Sequence, residues 1–60
     1  MTRYEKNIDF VMDILDEEYV DFGFFKENVE SAVGGSKKFR TELSKCRSKD
    51  EVQQLVNQYV

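Results

Sequence analysis

The chain has no histidine, no proline and no tryptophan, and a single cysteine, Cys46, among its 60 residues. Without histidine there is no imidazole base, no His-containing triad and no His-ligated metal. One cysteine makes neither an internal disulfide nor a cysteine zinc cage. Small secreted domains usually rely on such staples, so their absence leads us to expect a reducing, cytoplasmic setting. Uninterrupted apolar runs stop at two or three residues, too short for a membrane span. Met1-Thr2-Arg3-Tyr4-Glu5-Lys6 leads into a segment dense in acids, so no signal peptide is expected either.

What is present is sufficient for a fold. Apolar residues make up 40% of the chain and charged residues 35%, enough for a core and too apolar for a disordered chain. The charge is unevenly distributed. Residues 1–35 carry three cations against nine acids, residues 36–60 carry six cations against three acids, and the halves stand at −6 and +3 within the overall −3. A basic segment at 37–49 therefore follows an acidic front half.

Periodicity and capping signals predict one all-α domain over residues 1–60, a compact bundle of three to four short helices at about 2–19, 22–33, 37–47 and 49–59. Thr2 and Glu5 form a capping box. The core stripe of the first helix is read as Tyr4, Ile8, Val11, Leu15 and Tyr19, with Met12 beside it, at helical spacing. Phe10 and Ile14 fall on the flank of that arc. Asp21 is the expected N-cap of the second helix, with Val20 and Phe25 as a hydrophobic staple. Phe25, Val29, Ala32 and Val33 are its expected buried face. Gly34-Gly35 is expected to stop it and Ser36 to cap the third helix. The third stripe is Phe39, Leu43 and Cys46. Ser48 and Glu51 form a second capping box, followed by Val52, Leu55, Val56 and Tyr59. Two alternatives stay open: one continuous helix over 37–60, and a β-hairpin turning at Gly34-Gly35.

Catalytic, cofactor and metal sites are all expected to be absent. Asp9, Asp13 and Asp16 share a helical face and could in principle hold a cation, but a solvated acidic face accounts for them. Cys46 lies on an apolar stripe and reads as a small buried hydrophobe. Gly34-Gly35-Ser36-Lys37-Lys38 lacks the phosphate-loop spacing and a preceding strand, so it reads as helix punctuation.

Two surfaces remain. Lys37, Lys38, Arg40, Lys45, Arg47 and Lys49 form a candidate anion or nucleic-acid contact, set against a pI near 4.8. The fourth helix, with Gln53, Gln54, Asn57 and Gln58, is poorly equipped as a recognition helix. The second surface is an aromatic surplus: eight of the 60 residues are Phe or Tyr. Phe10, Ile14, Phe22 and Phe24 exceed the core stripes and are the expected partner-binding residues, with Phe10 and Ile14 rimmed by Asp9, Asp13 and Glu17. The functional expectation is a small non-catalytic regulator, inhibitor or adaptor of the phage or bacterial kind that binds another protein. A homodimer is a further possibility, nucleic acid is the lesser alternative, and no membrane partner is expected.

Overall fold

The computed structural model describes all 60 residues as four α-helices with no strand: α1 (Arg3–Glu17), α2 (Phe22–Ser31), α3 (Gly35–Lys45) and α4 (Lys49–Asn57). The helix starts follow local side-chain chemistry. Thr2 Oγ1 accepts the Glu5 amide while Glu5 reaches back to the Thr2 amide, completing the capping box. Asp21 accepts the Phe24 amide at 3.0 Å. Ser48 Oγ accepts the Glu51 amide at 3.3 Å. Glu51 does not close that box on Ser48. Its carboxylate accepts the backbone N–H of Arg47 instead. Cys46 and Ser48 are extended, so residues 37–60 form two helices. The hairpin alternative is excluded.

The helix ends depart from expectation. α1 stops at Glu17, and Tyr19 takes a left-handed φ of 56°. The Val20 amide bonds to the Leu15 carbonyl and the Tyr19 amide to the Asp16 carbonyl, the paired bonds of a Schellman turn. Tyr19 is consequently 95% exposed, not the end of a core stripe. α2 stops at Ser31 because Ala32 turns extended, before the glycines are reached. Val33 therefore leaves the helix and faces solvent. The Ala32 carbonyl accepts the Gly35 amide at 2.8 Å, with Gly34 at φ 87° and ψ −18° as the third residue of the turn. That conformation belongs to a type II turn and favours glycine. Gly34 also stands at the N-cap of α3, and no side chain caps that end; Ser36 lies inside the helix.

The core joins Val11, Ile14 and Leu15 of α1, Phe25 and Val29 of α2, Phe39 and Leu43 of α3, Cys46, and Val52, Leu55 and Val56 of α4. Phe25, Phe39 and Tyr59 meet edge-to-face in all three pairings, with centroids 5.5–6.3 Å apart. Two asparagines tie helix ends together. Asn7 of α1, 2% exposed, donates to the Leu43 and Cys46 carbonyls at 2.8 and 2.9 Å. Asn28 of α2 donates to the Tyr59 carbonyl at 2.7 Å. Each supplies from another helix the donors that a helix C-terminus lacks.

α1 packs on α3 and α4, and α3 packs on α2 and α4. α1 and α2 touch at most marginally, which leaves a gap between them over the core.

Candidate functional site

Asn7 sets the rotation of α1. Its buried positions are 7, 11, 14 and 15, so the packed face lies about 60° around the helix from the Tyr4–Ile8–Leu15 stripe, at about 100° per residue. Ile14 is therefore 0% exposed and belongs to the core, and Phe10 is half-buried against it. Neither forms a free flank patch, which corrects their assignment as partner-binding residues. The apolar flank that stays open is the opposite one, Tyr4, Ile8 and Met12, with Met12 itself exposed.

That flank forms one wall of a groove of about 340 Å³ between α1 and α2. Tyr4, Ile8 and Met12 face Phe22 and Lys26 across it, and Phe25, Val29 and Phe39 form the floor. Eight of the eleven lining residues are hydrophobic, and no carboxylate is among them. Phe22 is 50% exposed at its lip. Phe24 is also exposed, at 55%, but two residues along a helix it points about 160° away from Phe22, off the groove. The four expected partner-binding residues thus divide into one core residue, one half-buried residue, one groove residue and one isolated exposed aromatic. Tyr4, Ile8 and Met12 were missed because they were assigned wholly to the core.

The basic segment is likewise divided. Lys49 pairs with Glu17 of α1 at 2.8 Å, and that hydrogen bond holds its ammonium pKa above the usual lysine value. Arg40 lies over the Tyr4 ring, 5.8 Å from its centroid, a cation–π contact worth roughly 0.5–1 kcal/mol at an exposed site. Arg40, Lys37 and Ser36 line a small polar dent adjoining the groove. Lys38 and Lys45, seven residues apart, lie on the outer face of α3. Arg47 sits in the extended connection. Beside α4, Glu18 at the C-cap of α1 accepts from Gln53 at 2.9 Å. The helix that would enter a DNA groove thus has the carboxylates of Glu17 and Glu18 along its start.

Protein families, curated proteins and solved structures offer no match to this chain. The chemistry of its side chains therefore carries the functional reading. Cys46 is buried, donates to the Glu42 carbonyl at 3.5 Å, and has its thiol pKa pushed up by desolvation and then by the charges of Glu51 and Glu42. It is a protonated structural thiol at neutral pH. No group of three or more Asp, Glu or Cys side chains is gathered to hold a metal ion; Asp9, Asp13 and Asp16 are exposed on α1. No helix is long and apolar enough to cross a membrane.

Proposed function

We propose that the domain is a non-catalytic protein-binding module, a regulator, inhibitor or adaptor of another cytoplasmic protein, and that it docks this partner in the groove between α1 and α2. The observation that carries the reading is the groove itself: a mostly apolar cleft of about 340 Å³ whose lip residues, Met12 and Phe22, lie outside the core. Clefts of about 300–1,000 Å³ are the common size for bound ligands. This one is about half open to solvent, so a small molecule would be left partly wet, whereas side chains of a protein partner seated over it would close it. The buried, protonated Cys46 and the absence of histidine favour binding over catalysis.

A photo-reactive benzoylphenylalanine placed at position 22, 12 or 13 tests this in host lysate. Positions 22 and 12 line the groove; Asp13 is exposed and does not line it. One protein adduct shared by positions 22 and 12 and missing at 13 is expected. Adducts at all three positions, or at 13 alone, contradict the reading.

A further inference from the structure

The groove and the dent beside it are lined by cations and by no carboxylate, in a chain that carries twelve acids against nine cations. The charged side chains of the groove are Lys26 and Arg40; those of the dent are Lys37 and Arg40. Lys26 has the exposed Glu30 one helical turn away on α2, which offsets part of its charge. Lys37 and Arg40 have no such neighbour. No acid stands three or four residues from either along the chain, and neither has a carboxylate within ion-pair distance, since the single salt bridge of the molecule is Lys49–Glu17. Glu5, next to Tyr4 in sequence, is occupied by its bonds to Thr2. The Tyr4 ring holds the Arg40 guanidinium at the margin of the groove without neutralising it, because a ring face carries no net charge. Ser36 and Arg40 line both hollows, so the apolar floor at Phe39 runs into the cationic dent.

Resting on the docking role proposed for this groove, we infer that its occupant is an acidic segment of the partner protein, one that sets a large apolar side chain into the groove and a neighbouring Asp or Glu carboxylate against Arg40 and Lys37. The groove buries the apolar group among Tyr4, Ile8 and Phe22. The dent has no hydrophobic lining residue and suits the carboxylate: Arg40 offers a planar fork of N–H donors and Lys37 adds a second positive charge. A segment with Lys or Arg in place of the acid is repelled by the same two cations, and a neutral one leaves them unpaired. Repulsion of this kind discriminates between partners more than a matched pair raises affinity. The apolar anchor therefore supplies the binding, and Arg40 with Lys37 selects the sign of charge beside it.

The test pans a display library of 12-residue peptides, with all positions randomised, against the intact domain, and measures the selected peptides on variants. Selected peptides are expected to pair a large apolar residue with Asp or Glu. Phe22→Ala should raise their dissociation constants at least tenfold. The double variant Lys37→Gln, Arg40→Gln should do the same at low salt, with the difference shrinking at high salt. Replacing the peptide's acid by its amide should weaken binding to the parent and leave binding to that double variant unchanged, because the charge pair is already broken there. Peptides that depend on Phe22 but carry no acid, or whose acid is not coupled to Lys37 and Arg40, overturn the inference and leave the docking groove standing. Peptides indifferent to Phe22→Ala, acidic or not, overturn both, as does the absence of any selected peptide. Decanoate, an apolar chain ending in a carboxylate, is titrated alongside: tighter binding than by every peptide makes the occupant a small amphiphile and overturns both. Sedimentation over a dilution series covers the remaining occupant: a dimer abolished by Phe22→Ala makes the occupant a second copy and overturns the inference.

Discussion

Tyr19 holds a left-handed backbone at φ 56°, which costs an L-residue roughly 1–2 kcal/mol relative to glycine. Its side chain is almost wholly exposed and returns little through burial. Tyr19→Gly keeps the Schellman bonds and removes the strain, against a loss of about 0.4–1 kcal/mol from the freer unfolded chain. A net gain near 0.5 kcal/mol is expected, read as a rise of a few degrees in Tm; a fall in Tm would mean that the phenol makes a stabilising contact. Asn7 is the opposite case, a polar residue the core cannot release. Asn7→Ala leaves the Leu43 and Cys46 carbonyls without its donor and should cost about 1–3 kcal/mol in urea unfolding. Asn7→Asp turns an acceptor toward two carbonyl oxygens, and its loss relative to the parent should be larger at pH 7 than at pH 4. Equal losses at both pH values would contradict that geometry. This residue also explains the main error of the sequence reading. A buried asparagine is indistinguishable from a solvated one by composition. An apolar stripe drawn without it rotates the expected core face of α1 away from Ile14 and hides the open flank at Met12.

The helices themselves were legible where their starts are written in local chemistry. Thr2, Asp21 and Ser48 each accept a backbone amide within three residues, and such short-range bonds depend little on the rest of the fold. The ends were not legible to the same degree. Nothing about Ala32 or Tyr19 as residue types marks a chain reversal, yet Tyr19 turns left-handed and Ala32 turns extended. Ser48→Ala should lower stability by about 0.5–2 kcal/mol, measured as a shift in urea midpoint with unchanged slope. No shift would mean that the α4 start is held by Glu51 and its bond to Arg47 alone. The glycine pair makes a sharper comparison. A Cβ at Gly34 would meet Lys38 Cβ at 2.8 Å, on a φ of 87°. At Gly35 the nearest atom is the Glu30 carbonyl oxygen at 3.5 Å, on a φ of 56°. Both alanine variants carry left-handed strain of about 1 kcal/mol or more, and only Gly34→Ala adds a clash. Gly34→Ala is therefore expected to be the less stable of the two by thermal melting; the reverse order would contradict the turn geometry.

Across the whole molecule, four short helices close a core on four of their pairings and leave α1 with α2 open. Sequence reading identified the surplus of apolar side chains and placed it on the wrong flank of α1. The quantity of apolar surface can be counted from composition, but its location depends on which helix covers which face. The basic segment failed as a single surface for a related reason. Its cations span most of the exposed arc of α3, and tertiary contacts take Lys49 to Glu17 and Arg40 to Tyr4. The central claim is that the groove between α1 and α2 is a docking surface and that its lip, Met12 and Phe22, contributes little to folding. Paired measurement of stability and binding on the double variant Met12→Gln, Phe22→Ala tests it most directly. Both side chains are about half exposed, so the unfolding free energy should fall by no more than about 1–2 kcal/mol. Affinity for the cross-linked partner should fall at least tenfold, about 1.4 kcal/mol. A variant that unfolds, or that binds its partner as tightly as the parent, would contradict the account.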